Sequence, residues 1–385
     1  MKAFCQWFTI LVFCGVLLLC SALFFAIPDR EFSPQENRSL AQMPEFTGEA
    51  LFSGSFASDM NLYYADQFPF RNQLIRLKSG SELLLLKGEN NGVLYSNGQL
   101  AVRNFNAYRS RVQIAEDTDY FYTESIDAQL KAVASFARNS SIPVYTLLPP
   151  RTIDIVDSAF SYDRPQEDDL FTRTESILGS DQGYINVLPL LREKHQAGEY
   201  VYYKTDHHWT TLGAYYAYTE FMEAIGQEES ILPRSAFSVE EIPDFTGTTG
   251  AKGSFPIYEK DILQIWHHTS ETNYTVIADD EALSGLYERK HLAADGDTYS
   301  VFLDGTHNIT TITKPGENRQ TLLIAKDSFA NSLIPFLVAH YDIVAVNLRT
   351  NTSLSTLAEL YAPDGILLVY NMENLVTSGD LGNIR

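Results

Sequence analysis

The C-terminal segment, residues 321–385, constrains the fold more than any other part of the chain. Three apolar runs with the length of strands alternate there with two stretches of helical apolar spacing, in the order 321–325, 328–340, 342–346, 354–361 and 365–370. Strands that alternate with helices form parallel sheets with right-handed crossovers. We therefore predict an α/β protein built on a parallel sheet.

The same alternation begins further upstream, near residue 120. The apolar spacing predicts a helix over 125–139, a strand over 142–148 and a short strand over 200–203. A second helix is predicted over 210–225, with Thr210 as its N-cap. Most of the C-terminal two thirds of the chain is therefore assigned to the α/β domain.

Composition shifts along the chain divide it into three regions. Residues 1–28 are predicted as a transmembrane signal anchor, 29–105 as a membrane-proximal helical and hairpin region, and 106–385 as the catalytic domain. Within the last region, 235–315 contains short alternating runs between turn residues, which predicts a β-rich insertion. Its Thr/Gly-rich stretch, 246–250, is predicted to be a flexible loop.

The membrane-proximal region has helical spacing over 49–86, interrupted by Pro69. Proline removes a backbone donor inside a helix, so two helices are predicted there. Residues 92–100 contain an Asn-Gly pair between apolar residues, which predicts a β-hairpin.

The N-terminal segment, 7–27, is uncharged over a length that crosses a bilayer. Lys2 precedes it and acidic residues follow, so the positive-inside rule places the N-terminus in the cytoplasm and the bulk outside. A cleaved signal peptide is the alternative, since 20–22 offers small residues for cleavage. The length of the apolar run favours an uncleaved anchor.

The remaining composition excludes several functions. The net charge is −21, which disfavours nucleic acid because phosphate binding requires clustered Lys and Arg. All three cysteines, Cys5, Cys14 and Cys20, lie in or beside the N-terminal segment. An exported domain would therefore contain no disulfide, no thiolate metal site and no cysteine nucleophile.

Two motifs carry candidate chemistry. Ser328 follows a predicted strand at the start of a helix, where backbone N–H groups stabilise an oxyanion. The alternative is that Asp327 or Ser328 only caps the helix. Asp206 and His208 lie two residues apart, so on an extended segment they share a face and His207 points away.

These motifs predict a Ser328–His208–Asp206 catalytic triad, with Ser328 as nucleophile, His208 as base and Asp206 as the group that orients the imidazole. His207 is predicted to be a structural neighbour of the triad and Trp209 a packing residue, and both are also candidates for contact with the substrate. The competing hypothesis is a metal site in which Asp206, His207 and His208 are ligands. Consecutive histidines diverge on an extended segment, so no metal is predicted.

Three further polar residues follow predicted strands. Asn347 and Arg349 come after the strand over 342–346, and Arg151 follows the strand over 142–148. Each is a candidate for binding an acyl or sugar oxygen, because ligands bind at the carboxyl edge of such sheets. For both arginines, an ion pair with an acidic residue is an equal alternative.

The sequence resembles the DHHW protein family of Gram-positive bacteria. That family is related to the AlgX/AlgJ-type, SGNH hydrolase-like exopolysaccharide O-acetyltransferases. The resemblance rests on Asp-His-His-Trp and on four other segments, namely 32–38, 66–71, 326–329 and 347–349. Lys326 departs from the pattern, since it stands where the relatives carry the Gly of Gly-Asp-Ser.

The resemblance implies an SGNH hydrolase-like, flavodoxin-like three-layer fold and the same triad of Asp206, His208 and Ser328. It also implies a membrane-anchored extracellular O-acetyltransferase that modifies a cell-surface or secreted polysaccharide without a cofactor. A membrane-bound O-acyltransferase is the implied acyl-donor partner. A carbohydrate esterase with the same triad and a non-catalytic polysaccharide-binding or assembly protein are the alternatives that the sequence leaves open.

Overall fold

The computed structural model describes the chain over 2–33, 38–103, 116–156, 160, 168–179, 183–256, 258–270, 273–293, 297–349, 353–377 and 379–384. The chain divides into two compact units. The first comprises 1–90 and 254–257, and the second comprises 91–253 and 258–385. The predicted boundaries at residues 28 and 105 differ from this division and remain predictions.

The first unit begins with helix α1, Lys2–Ala26. Its stretch Gln6–Ala26 is long and apolar enough to cross a membrane, which suits an anchor and a signal sequence alike. The elements that follow are β1 (Phe32–Ser33), β2 (Arg38–Ser39), α2 (Gly48–Ser53), α3 (Ser55–Gln67), α4 (Arg71–Leu84) and β3 (Glu89–Asn90). Residues 34–37 of the family-like segment lie outside the described residues.

The predicted helix break at Pro69 is confirmed, because α3 ends at Gln67 and α4 begins at Arg71. A second break was not predicted. Gly54 adopts a left-handed φ of 83° between α2 and α3, a conformation that glycine adopts without steric cost. The apolar spacing alone did not reveal it.

The second unit is an α/β domain. Its strands are β4 (Val93–Ser96), β5 (Gln99–Val102), β6 (Val144–Leu147), β7 (Tyr184–Ile185), β8 (Phe237–Phe245), β9 (Asp261–His268), β10 (Thr275–Ala278), β11 (Glu281–Ala282), β12 (Ile309–Thr313), β13 (Thr321–Lys326), β14 (Asp342–Val346) and β15 (Gly365–Val369). Its helices are α5 (Glu116–Asn139), α6 (Thr152–Ile155), α7 (Asp168–Leu178), α8 (Leu188–Gln196), α9 (Thr211–Ala224), α10 (Thr248–Gly253), α11 (Ala330–Leu337), α12 (Leu354–Tyr361) and α13 (Met372–Thr377).

Eight of these strands form one sheet in the order β11-β10-β12-β14-β13-β15-β6-β7. The strands from β14 to β7 are parallel, whereas β12, β10 and β11 extend the sheet antiparallel to their neighbours. Five consecutive residues of β13, from Leu322 to Lys326, are buried, so both faces of the sheet are covered. The predicted α/β class with a mostly parallel sheet is confirmed.

The C-terminal elements match their predictions closely, and β14 and α12 have the predicted bounds. Thr210 caps α9 as predicted, because its hydroxyl accepts the Gly213 N–H at 3.2 Å. The predicted hairpin is β4–β5, whose turn residues Asn97 and Gly98 both have positive φ. Local patterns were sufficient for these elements.

Two predictions require correction. The predicted strand over 200–203 is an isolated bridge between Tyr202 and Trp209, because the chain turns back at 204–208. The predicted insertion over 235–315 is β-rich, but only β8 and β9 form a separate antiparallel pair. Its strands β10, β11 and β12 belong to the main sheet.

Candidate active site

Ser328 lies in the turn between β13 and α11, at the carboxyl edge of the parallel strands. The preceding Asp327 carboxylate fixes this turn. It accepts the Phe329 N–H at 2.9 Å, and from the turn after β15 it accepts the Asn371 N–H and the Asn374 amide, both at 2.7 Å. Asp327 therefore binds a backbone N–H at the start of α11, as the cap alternative predicted, whereas the Ser328 hydroxyl contacts His208 instead.

The structure brings Ser328, His208 and Asp206 together. The Ser328 Oγ lies 2.7 Å from His208 Nε2, and His208 Nδ1 lies 2.5 Å from Asp206 Oδ1. Because a carboxylate only accepts hydrogen bonds, Nδ1 carries the proton and Nε2 accepts from the Ser328 hydroxyl. This is the hydrogen-bond order of a Ser-His-Asp nucleophile.

Burial sets the protonation of this pair. It lowers the pKa of the His208 imidazole from 6.5 to about 4; His207 acts in the same direction, and Asp206 opposes both. Burial alone would raise the pKa of the Asp206 carboxyl, but His208 and His207 hold it well below its usual range. At neutral pH Asp206 is ionised and His208 is neutral, the state in which Nε2 accepts a proton.

Asp206 is held on both carboxylate oxygens. Oδ1 accepts the backbone N–H of His208 at 3.0 Å as well as its Nδ1–H. Oδ2 accepts the Thr248 N–H at 2.9 Å and the Thr248 hydroxyl at 3.1 Å. The carboxylate is therefore fixed from the insertion as well as from its own loop.

The loop that carries Asp206 is anchored by a second buried carboxylate. Asp261 accepts the Thr205 N–H at 2.8 Å, the Thr205 hydroxyl at 2.6 Å and the Lys204 N–H at 2.9 Å. The Tyr200 hydroxyl also donates to it. Asp261 thus holds the bend at 204–208 in place.

This bend changes the expected position of His207. We predicted that His207 would point away from Asp206 and His208, but the two imidazole centroids lie 3.9 Å apart. The alternation of side chains holds for a strand and not for a bend. His207 Nδ1 lies 2.9 Å from the Thr248 hydroxyl, while His208 is the histidine that contacts Ser328.

Two aromatic residues support the histidine. The Tyr299 ring stacks on the His208 imidazole with centroids 3.8 Å apart and an interplanar angle of 9°. Trp209 is fully buried, and its Nε1–H donates to the Phe329 C=O at 3.1 Å and the Ser332 hydroxyl at 3.0 Å. Trp209 thereby connects residues 204–209, the histidine loop, to the segment that follows Ser328.

A cavity of about 240 Å³ opens beside Ser328. The residues that line it come from the histidine loop, the insertion and the two turns, and are Val102, His207, Thr248, Thr249, Lys252, Asp327, Ser328, Phe329, Asn371, Glu373 and Asn374. Its volume suits a small group on a larger molecule whose remainder stays outside. A larger groove, of about 910 Å³, is lined by other residues, including Phe136, Ile142 and Ile384, and does not include Ser328.

The described residues that line this cavity do not include four of the predicted substrate-contacting residues, namely Arg151, Trp209, Asn347 and Arg349. Arg151 is buried and forms an ion pair with Asp154, 2.7 Å between Nη2 and Oδ1. Arg349 is exposed and pairs with Asp380 at 2.9 Å, and Asn347 accepts the Arg349 N–H at 3.0 Å. Both arginines form an ion pair with an acidic residue, which was the alternative to substrate binding. A substrate role for Arg151, Asn347 and Arg349 stays a prediction.

Lys326, the departure from the Gly-Asp-Ser pattern, is buried at the end of β13. Its Nζ donates to Asn331 Oδ1 at 2.5 Å, and the Asn331 amide donates to the Gly305 C=O at 2.8 Å. Burial lowers the pKa of the Lys326 ammonium to about 8. The side chain braces α11 against the loop at Gly305.

The metal alternative has a geometric basis, because ligand atoms of Asp206, His207 and His208 lie within 4.8 Å of one another. All three side chains nevertheless form hydrogen bonds within the protein. His208 bridges Asp206 and Ser328, His207 Nδ1 contacts Thr248, and Asp206 accepts on both oxygens. The donor set is therefore arranged for proton transfer.

Sequence reasoning missed Thr248, Asp261 and Tyr299. All three lie in the insertion and reach the histidine loop through contacts distant along the chain. The one sequence feature that pointed to this region was the Thr/Gly-rich stretch 246–250, which we predicted to be a flexible loop. Residues 248–253 instead form α10, and Gly247 approaches Asp206 so closely that an added Cβ would lie 2.2 Å from its Cβ.

The fold and this arrangement define an α/β protein with a Ser-His-Asp constellation at the carboxyl edge of its parallel strands. The sequence profile of the DHHW protein family matches residues 112–347, more than half of the chain. The chain belongs to the DHHW family. No curated protein matches it.

Two solved structures with TM-scores above 0.5 confirm the predicted fold class. A DHHW family protein from Eubacterium siraeum is 19% identical, with 77% of this chain and 95% of that chain covered and a TM-score of 0.54. Bacillus cereus PatB1 with a sulfonyl adduct is 17% identical, with 75% and 97% covered and a TM-score of 0.59. The O-acetyltransferase domain of Pseudomonas putida AlgJ is 14% identical, with 76% and 95% covered and a TM-score of 0.48.

Proposed function

We propose that this protein is a membrane-anchored, extracellular O-acetyltransferase that acetylates a polysaccharide through Ser328, His208 and Asp206. The observation that carries the proposal is the continuous hydrogen-bond chain from the Ser328 hydroxyl through the buried imidazole to the Asp206 carboxylate. A neutral buried imidazole beside an ionised carboxylate is poised to activate a hydroxyl.

In the first half-reaction, Ser328 Oγ attacks the carbonyl carbon of the acetyl donor while its proton passes to His208 Nε2. The bond between the carbonyl carbon and the donor's leaving oxygen then breaks, and the proton on Nε2 passes to that oxygen. The acetyl group is left as an ester on Ser328. Asp206 stabilises the imidazolium that forms transiently.

In the second half-reaction, a sugar hydroxyl occupies the place of the leaving group. His208 Nε2 takes the proton of this hydroxyl as its oxygen attacks the acetyl carbonyl carbon. The bond between that carbon and Ser328 Oγ then breaks, the proton on Nε2 passes to Oγ, and the acetyl group is left as an ester on the sugar. Water in place of the sugar gives acetate, which is the esterase reaction. The cavity beside Ser328 admits a small acetyl group while the polysaccharide stays in the open surroundings.

The apolar helix α1 supports a role at the membrane. A protein held at the membrane surface would receive its acetyl group from a membrane-bound O-acyltransferase, which we propose as the donor partner. Single-pass anchoring with the α/β domain outside the cell is part of the same proposal.

The test uses the full chain in detergent with an activated acetyl ester as donor and candidate cell-surface polysaccharides as acceptors. Acetylated polysaccharide and free acetate are measured together. An acceptor that diverts acetyl groups from water to sugar supports the transferase. Release of acetate at the same rate with every acceptor would assign the protein as an esterase instead.

A further inference from the structure

Thr249 is a buried threonine whose hydroxyl has no hydrogen-bond partner among the residues that the structure describes. Its side chain is 2% exposed, and the residue lines the cavity that contains Ser328. Buried hydroxyls in proteins nearly always find a partner, because an unpaired one destabilises the fold. Thr249 therefore combines an unpaired hydroxyl with a position in the lining of the candidate active site.

Two nearby threonines, Thr248 and Thr205, have paired hydroxyls, unlike Thr249. The Thr248 hydroxyl bonds Asp206, and the Thr205 hydroxyl donates to Asp261 and accepts the Gly247 N–H at 3.0 Å. Both of these hydroxyls are used within the protein. Thr249 follows Thr248 in α10, and its hydroxyl has no such bond among the described residues.

The backbone around Thr249 is fixed. The Gly250 N–H donates to the Thr205 C=O at 2.7 Å, and the Ala251 N–H donates to the Gly247 C=O at 3.1 Å. A Cβ added to Gly250 would lie 3.2 Å from Thr205 Cβ, so the turn is tightly packed against the histidine loop. The backbone that carries Thr249 is thus held in place before any substrate binds.

We propose that the Thr249 hydroxyl hydrogen-bonds an oxygen of the acyl–carbohydrate substrate at the Ser328 site. The inference rests on the proposed acetyl transfer and adds a substrate-contacting residue to it. The oxygen belongs either to the acetyl carbonyl or to the acceptor sugar, and both are ester or hydroxyl oxygens that accept a hydrogen bond.

The test compares Thr249→Val, which keeps the shape and removes the hydroxyl, with Thr249→Ser, which keeps the hydroxyl. Thr146→Val is the matched control, because Thr146 is also buried, its hydroxyl is also unpaired among the described residues, and it lies on β6 rather than at the cavity. Each full-length variant is assayed in detergent for hydrolysis of 4-nitrophenyl acetate, for transfer to polysaccharide and for thermal melting.

We expect Thr249→Val to lower kcat/KM by roughly 10- to 100-fold, as for the loss of one hydrogen bond to a reacting group, while its melting temperature is unchanged or raised. Thr249→Ser and Thr146→Val should stay close to wild type in activity. A loss on the small ester as well as in transfer assigns the contact to the acetyl carbonyl, and a loss in transfer alone assigns it to the acceptor sugar.

Activity of Thr249→Val within about twofold of wild type, or a loss that follows a lowered melting temperature, would overturn the inference while leaving the acetyltransferase proposal intact. If wild type turns over no ester and transfers no acetyl group, the proposed function fails and the inference fails with it. The wild-type assay therefore distinguishes failure of the proposed function from failure of the Thr249 inference alone.

Discussion

At the scale of single residues, the two adjacent histidines have different environments. His208 is buried between Asp206 and Ser328, whereas His207 is partly exposed at the cavity and contacts Thr248. The division between them follows from the bend at 204–208, which turns one imidazole towards Ser328. Their substitution should therefore have unequal effects.

We expect His208→Ala to lower the rate of ester turnover by about 10³-fold or more, because His208 is the base that contacts the Ser328 hydroxyl. His207→Ala removes one contact to Thr248 and should cost about tenfold or less. Rates and thermal melts of the two variants, measured side by side, check this. Equal losses would mean that the two histidines act as one unit.

The pH dependence follows from the buried imidazole. His208 works as a base only when neutral, and burial lowers its pKa to about 4, so kcat/KM should stay level as pH falls from neutrality and decline only towards that value. The unfolded chain, with an ordinary histidine pKa of 6.5, binds the proton more readily, so stability should fall as pH drops from 6.5 towards 4. A pH–rate profile with an acid limb at or above pH 6.5 would contradict this environment.

At the scale of elements, residues 247–248, at the start of α10, hold the Asp206 carboxylate from outside its own loop. Gly247 approaches Asp206, and Thr248 donates to it twice. An added Cβ at Gly247 would lie 2.2 Å from both the Cβ and Oδ2 of Asp206, so a larger residue must displace the carboxylate. The insertion is therefore required for the geometry of the site.

Gly247→Ala should reduce ester turnover by about 10²-fold or more, since a displacement of about 1 Å at a catalytic group has that effect. The melting temperature should fall only moderately. Gly285→Ala is the control, because Gly285 lies in the same insertion and a Cβ there meets nothing within 4 Å. Full activity in Gly247→Ala would show that Asp206 needs no support from this segment.

The C-terminal elements could be predicted because their signals are local. A few consecutive residues are enough to show the apolar runs of β13, β14 and β15 and the helical spacing of α12. Ser328 could be selected as a candidate because it comes just after the strand β13. The contacts of Thr248, Asp261 and Tyr299 could not be predicted, because they join positions distant in sequence. The same limit applies to the pairing of β12 with β14 and of β10 with β12, because no local pattern encodes these long-range pairings.

At the scale of the whole molecule, we predict that the site works without an ion. Asp206, His207 and His208 form hydrogen bonds to Ser328, to Thr248 and within their own loop. Prolonged treatment with a chelator such as EDTA should leave ester turnover unchanged. A metal found in stoichiometric amount, whose removal abolishes turnover and whose return restores it, would reassign these residues as ligands.

The proposed function rests on one covalent step, the acetylation of Ser328. The most direct measurement is mass spectrometry of the full chain, digested after rapid quenching of its reaction with an activated acetyl ester. We predict an acetyl group on the peptide that contains Ser328, lost in Ser328→Ala and strongly reduced in His208→Ala, with both variants melting near wild type. Turnover without any acetyl group on Ser328, or wild-type turnover by Ser328→Ala, would contradict it.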